Sequence, residues 1–321
     1  MTGNIQSEVN IRPEVEHEIT VLAGASDVYR MLADVENWPR IFPPSVYVER
    51  VEHNGTEERI RIWATAGGEP KSWTSRRELD PDGLRIRFWQ EVSSPPVAEM
   101  SGTWIVEPRG ERETRLRLRH TYRAIDDDPD GLAWIERAVD ENSRAELPSL
   151  KANVELAAQA GELTLSFQDT VTINGSGKDA YDFVNDAHLW VERLPHVATV
   201  QLTEDTPGLQ VLRMDTRTAD GSVHTTESVR VCRPHHRIAY KQTTLPALMT
   251  LHTGYWEFDE SADGVTTATS QHTVVINTGA IATVLGPDAG VADARSFIRT
   301  ALSGNSRATL GHAKAYAEAR H

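Results

Sequence analysis

Trp73, Ser75 and Arg77 stand two residues apart in a strand-like run, so their side chains share one face. In a second run Leu116, Leu118, His120 and Tyr122 alternate with Arg115, Arg117, Arg119 and Arg123. Leucines inward and arginines outward is the expected orientation, which turns His120 inward as well. An arginine holds and polarises a carbonyl oxygen without losing its own proton. A histidine of ordinary basicity titrates near neutrality and serves as base and then acid. Ser75 offers a contact to the same ligand, and Trp63 and Trp73 offer a flat aromatic wall. Each residue also has a purely structural reading. An arginine in a strand pairs with a carboxylate, an inward histidine hydrogen-bonds within a core, and a buried tryptophan packs.

The same chemistry occurs twice. Tyr29, Asp34, Trp38 and Pro43 recur as Tyr181, Asp186, Trp190 and Pro195, Gly102-x-Trp104 as Gly254-x-Trp256, and His120-Thr121 as His272-Thr273. Asn142-Ser143-Arg144-Ala145-x-Leu147 returns as Asn305-Ser306-Arg307-Ala308-x-Leu310, and Lys151 and Glu155 as Lys314 and Glu318. An ordered series with a single insertion, in the segment Asn277–Gly290, means internal duplication. The expected domains are residues 1–160 and 161–321. In the second copy Ser228, Arg230, His272 and Asn305 are the corresponding pocket candidates. That copy has Thr226 in place of Trp73 and Ser303 in place of Asp140, and six of the eight tryptophans lie in the first.

The elements that must position these groups follow from periodicity and turn signals. Strands are expected over 14–22, 45–53, 57–66, 70–80, 84–92, 100–108 and 114–124, with Asn54-Gly55, Gly67-Gly68 and Asp82-Gly83 at bends. A short helix capped by Ser26 or Asp27 precedes the breakers Trp38-Pro39 and Pro43-Pro44, and a helix over 130–160, kinked at Pro148, closes the copy. The second copy repeats this with a strand at 163–173 and helices at 178–186 and 291–320. The plan is α+β, a curved antiparallel sheet gripping a long helix with an apolar interior between them.

A chain of 321 residues with net charge −14 does not suit a nucleic-acid phosphate backbone. No apolar run reaches membrane-span length, and the opening Met1–Ile5 lacks a basic region followed by an apolar one, so a cytoplasmic location is expected. Cys232 is the only cysteine and reads as a buried strand thiol. His235-His236 falls in an expected turn without a third ligand at metal-binding spacing, so no metal site is expected.

The order of elements resembles the helix-grip fold of START-like and birch-pollen-allergen-like proteins. Trp38-Pro39-x-x-Phe42-Pro43, Trp73-x-Ser75-x-Arg77 and Gly102-x-Trp104, in tandem, resemble the polyketide aromatase/cyclases of bacterial type II polyketide synthases. The resemblance implies first-ring aldol closure of a ketoreduced chain between its seventh and twelfth carbons, then dehydration, with no cofactor. It implies an acyl carrier protein and other synthase components as partners, with Arg115, Arg117 and Arg119 as a candidate docking patch. Arg77, His120 and Asp140 become the catalytic candidates, Asp140 orienting His120 or acting as the base. Trp38, Phe42, Trp63, Trp73, Ser75 and Asn142 become substrate contacts. A tyrosine of single-domain members is replaced here by Ser45, leaving Tyr47 as the nearest substitute. The competing reading is a non-catalytic START-like carrier or sensor of a hydrophobic small molecule.

Overall fold

The computed structural model describes residues 14–155, 160–217 and 223–320; the opening Met1–Ile5 lies outside them. In the first copy β1 (Glu14–Val21), β2 (Ser45–Asn54), β3 (Glu57–Ala66), β4 (Glu69–Asp80), β5 (Arg85–Val92), β6 (Val97–Gly110) and β7 (Glu113–Ala124) form one sheet in the order β1-β7-β6-β5-β4-β3-β2. Helices α1 (Ala25–Ala33) and α2 (Trp38–Ile41) lie between β1 and β2, and α3 (Pro129–Glu155) ends the copy. This is a meander whose last strand pairs antiparallel with the first. Alternation decides which face turns to α3. Leu116, Leu118 and Tyr122 of β7 are buried, as are Ile135, Val139, Ser143, Leu147, Leu150 and Val154 at helical spacing along α3.

On the outer face of β7 the arginines pair with strand carboxylates. Arg117 reaches Glu16 at 2.7 Å and Glu107 at 2.9 Å, Arg119 reaches Glu16 at 2.5 Å, and Arg115 pairs with Glu18. The candidate docking patch is thus a charge-balanced ladder.

The last turns of α3 are tied to β1. Lys151 Nζ donates to the Thr20 carbonyl at 2.8 Å, and Glu155 Oε1 accepts from the Leu22 N–H at 2.6 Å. The second copy makes the same seam, Lys314 to Thr172 at 2.7 Å and Glu318 from Asn174 at 2.8 Å. A four-residue helix α4 (Ala160–Leu163) precedes it.

That copy contains β8 (Thr164–Ile173), α5 (Gly177–Asn185), α6 (Trp190–Arg193), β9 (Val197–Thr206), β10 (Leu209–Arg217), β11 (Val223–Arg233), β12 (Arg237–Thr244), β13 (Met249–Glu260), β14 (Thr266–Ile276), α7 (Ile281–Leu285) and α8 (Val291–Glu318). Its sheet runs β8-β14-β13-β12-β11-β10-β9. The inserted segment holds α7, whose Ile281 packs into a cluster with Leu248, Met249, Ile276 and Ile298. It is anchored by core contacts.

Two compact units emerge, residues through Glu36 with Val48–Glu155, and Asn37–Tyr47 with Leu156–His321. Thus α2 and the start of β2, with Trp38, Phe42 and Tyr47, group with the second unit.

Two local expectations change. Gly24 is the N-cap of α1, and Asp27 lies inside the first turn, where it pairs with Arg30. Pro39 occupies the first turn of α2, where its missing N–H has no helical partner to lose. The closing helix runs from Pro129 to Glu155 through the exposed Pro148; residues 156–159 of the expected span lie outside the described ones. No helix among the described residues is long and apolar enough to cross a membrane.

Candidate functional site

Register places the predicted groups of the first copy. Arg77 opposes Phe88, Phe88 opposes Gly102, Gly102 opposes His120, and His120 opposes Val15. Arg77 and His120 therefore occupy one row across the concave face. Three inter-strand steps put their backbones about 14 Å apart. Gly102 sits between them because a Cβ there would lie 2.4 Å from Phe88 Cζ and 2.2 Å from the Arg119 carbonyl oxygen. The glycine lets the Phe88 ring cross β6 and present its edge to His120, with centroids 5.5 Å apart.

Arg77 is 2% exposed. Its Nη2 donates to the Leu32 carbonyl at 3.0 Å, and Nη1 lies 3.1 Å from Glu58 Oε1. Burial pulls its pKa down to about 10, with the Glu58 carboxylate opposing that shift. Arg77 is thus a fixed group of the wall. Glu58 was missed from sequence, although the turn Gly67-Gly68 pairs Ala66 with Glu69 and hence Glu58 with Arg77. From α1 comes Tyr29, buried, its hydroxyl without a hydrogen-bond partner among the described residues. Burial raises its pKa, and the charge of Arg77 acts on it in the opposite sense.

Ser75 is buried on the same face opposite Gln90, and Trp73, opposite Ile62, is half-buried there. Phe88, Gln90, Met100 and His120 also keep some surface, so the concave face is not sealed. Trp63 opposes Ser72, alternates away from Ile60 and Ile62, and carries Arg61 stacked 4.7 Å from its ring. It belongs to the convex face, as strand alternation dictates. Tyr47 alternates with Val46 and Val48, and Arg50 on the latter's face bonds Glu58 at 2.9 Å, so Tyr47 also faces away. Trp38 packs edge-on against Phe42 at 5.4 Å. Asn142 reaches the Thr65 carbonyl at 3.3 Å.

Asp140 meets His17 of β1, not His120. Its Oδ1 lies 3.0 Å from His17 Nε2, and its Oδ2 accepts from Arg144 at 2.8 Å. These contacts hold its pKa below the usual carboxylate range, the His17 hydrogen bond contributing most. His17 stands on the inner face of β1, opposite Leu118 and diagonal to His120. In the second copy Asp169 takes its place and pairs with Arg307 at 2.7 Å.

The Nδ1 of His120 is buried without a hydrogen-bond partner among the described residues, and the buried Ser143 hydroxyl has none either. Burial, with a smaller contribution from His17, pushes the His120 pKa down to about 4. The imidazole is neutral at pH 7 and does not titrate near neutrality as an exposed one does. The matching histidine of the second copy is fully occupied. His272 Nδ1 is 2.8 Å from the Tyr240 hydroxyl and 3.0 Å from His252, and Nε2 is 2.7 Å from Ser306 and 3.2 Å from Ser270. The first copy has Phe88, Met100 and Leu118 where the second has Tyr240, His252 and Ser270.

Elsewhere in the second copy Arg230 is buried opposite Gln210 and donates to the Val184 carbonyl at 2.7 Å. Ser228 is buried two residues before it. Asn305 is exposed, because the buried stripe of α8 passes through Ser306 instead. His236, in the turn between β11 and β12 where it was expected, approaches Glu257 at 4.0 Å and Asp259 at 3.9 Å. Glu257 is already bonded by Arg237 at 2.9 Å, and the group is largely exposed.

The sequence matches the model of a family described as polyketide cyclase/dehydrase and lipid transport, over residues 12–155 and again over 164–318. It is 52% identical over 297 residues to a granaticin polyketide synthase bifunctional cyclase/dehydratase of Streptomyces virginiae, covering 92% of this chain and 97% of that one. An actinorhodin polyketide synthase bifunctional cyclase/dehydratase of Streptomyces coelicolor is 44% identical over 314 residues, 94% of this chain and 96% of that one. Among solved structures, the di-domain ARO/CYC BexL from the BE-7585A biosynthetic pathway is 68% identical, with a TM-score of 0.86 over 96% of this chain and 100% of that one. The di-domain ARO/CYC StfQ from the steffimycin biosynthetic pathway is 33% identical, with a TM-score of 0.85 over 95% of this chain and 99% of that one.

Proposed function

Because the chain belongs to the polyketide cyclase/dehydrase and lipid transport family and is a polyketide cyclase/dehydratase, we propose that it acts on the first ring of a ketoreduced polyketide. The chain would be carried by an acyl carrier protein and close between its seventh and twelfth carbons, with loss of water to aromatise the ring. The work falls to the first copy, within a type II synthase in the cytoplasm.

The observation that carries this reading is the contrast between the two histidines. A neutral His120 with a buried, unpartnered Nδ1 is open to a ligand, whereas His272 has the hydrogen bonds of both nitrogens met from within. Arg77 polarises a carbonyl oxygen from the wall, a group that keeps its proton while negative charge develops nearby. His120 serves the carbon or hydroxyl at the other end of the row, taking or returning a proton as ring closure and dehydration require. Asp140 is a positioning residue that acts through His17. Trp73 and Ser75 contact the growing ring on the same face.

The test is product analysis in a reconstituted synthase with carrier protein. Arg77→Ala is expected to divert the chain to misfolded shunt products, while Arg230→Ala leaves the product profile of the parent. An intact product profile from Arg77→Ala refutes the proposed role.

A further inference from the structure

The duplication supplies an internal comparison at His120. In the second copy the helix serine Ser306 bonds His272 Nε2 at 2.7 Å, and the strand hydroxyl of Ser270 bonds both, at 3.0 Å to Ser306 and 3.2 Å to His272. One oxygen thus sits against an imidazole nitrogen and a helix hydroxyl. In the first copy the histidine and the helix serine are kept, and Leu118 replaces the oxygen-bearing residue. Ser143 is 1% exposed, its hydroxyl has no partner among the described residues, and it is not bonded to His120. Its neighbours in the buried stripe of α3, Val139 and Leu147, offer no polar group. Buried hydroxyls are nearly always bonded, so one without a partner is a place for a ligand's polar atom.

We propose that Ser143 and His120 together hold one oxygen of the cyclising ring, a carbonyl or hydroxyl oxygen, which takes from them the two hydrogen bonds that Ser270 makes within the second copy. This rests on the first copy being the working site, and it adds a specificity residue to it. Ser143 donates through its hydroxyl, and the neutral imidazole donates through the nitrogen facing it. Two converging donors favour an aromatic ring that bears oxygen over one of the same shape without it. The opposite end of the row, at Arg77, is about 14 Å away and takes a different oxygen.

Equilibrium dialysis of the full-length chain with 2-naphthol and with naphthalene tests this without turnover. The parent is expected to prefer 2-naphthol. Ser143→Ala should weaken 2-naphthol about tenfold, the loss of one hydrogen bond, and leave naphthalene within about twofold. Ser143→Thr, which keeps the hydroxyl, should restore the preference, and Ser306→Ala should change neither probe. No preference in the parent, equal loss of both probes in Ser143→Ala, or the same selective loss in Ser306→Ala would each overturn the proposal. Failure of the ring-closure reading in the Arg77→Ala product assay would leave these binding ratios where they are, so the two outcomes are separable.

Discussion

Glu58→Gln offers a measurable test of how the first copy carries a buried charge. The Arg77 and Glu58 side chains are 1% and 0% exposed at a separation of 3.1 Å. Removing one member of such a pair leaves a desolvated charge, which costs about 3–5 kcal/mol. Glutamine keeps the shape and one acceptor oxygen, which argues for the lower end, near 3 kcal/mol. The second copy has Gln210 opposite Arg230, yet it does not make the change harmless. Gln210 Nε2 is bonded at 2.7 Å to Glu204, so a carboxylate stands one step behind the amide. The residue matching Glu204 in the first copy is Glu52, which lies 3.6 Å from Arg59 and 3.8 Å from Arg76. It is already committed elsewhere. For a domain of this size about 3 kcal/mol corresponds to roughly 10 °C in melting temperature. Scanning calorimetry of the full chain at pH 7 should show the first-copy transition lowered by that amount. A shift below about 3 °C would mean that the guanidinium needs no carboxylate, and the assignment of Glu58 as its counter-ion would be wrong.

Acid should weaken both copies through their histidines. Burial holds His120 and His272 near a pKa of about 4, below the ordinary value of about 6.5 in the unfolded chain. The folded state therefore binds fewer protons between these values. Stability is full above about pH 6.5 and falls as pH drops toward 4, by on the order of 3 kcal/mol per histidine; urea titrations across this range check it, and a flat profile contradicts it. The same shift predicts ring-closing activity limited by His120 protonation only near pH 4, so a pH–rate limb at 6.5 would point to another base. Gly102→Ala should destabilise the first copy by about 1–3 kcal/mol, because the new methyl overlaps Phe88 and the Arg119 carbonyl. Pairing it with Phe88→Ala should return part of that loss in a double-mutant cycle.

The sheet was legible because alternation and turn dipeptides bound each strand. The expected 57–66 and the observed Glu57–Ala66 coincide. Alternation sets the faces of Arg77 and His120, and the same rule turns Trp63 and Tyr47 to the other side, since each differs in parity from the buried Ile62 and Val48 beside it. Asp140 was legible as a polar residue over the sheet, but its partner was not, since His17 lies 123 residues away and only the pairing of β1 with β7 brings it near. Ser143 stood in the repeated motif beside Asn142. The signal was its place on the stripe through Val139 and Leu147, which helical spacing reveals. The acid shift of His120 has no local sequence signature, because it comes from the packing around the ring.

The seam between the last helix and the first strand of each copy has a consequence for how the copies diverge. Lys151 holds a backbone carbonyl, which every residue supplies, and Glu155 a backbone N–H, which every residue except proline supplies. The strand side of the bond therefore carries no record in its side chains. Leu22 in one copy is matched by Asn174 in the other, while the lysine and glutamate are kept as Lys314 and Glu318. A substitution scan should find the constraint one-sided, strict at the two helix positions and nearly absent, proline apart, at the strand positions they grip.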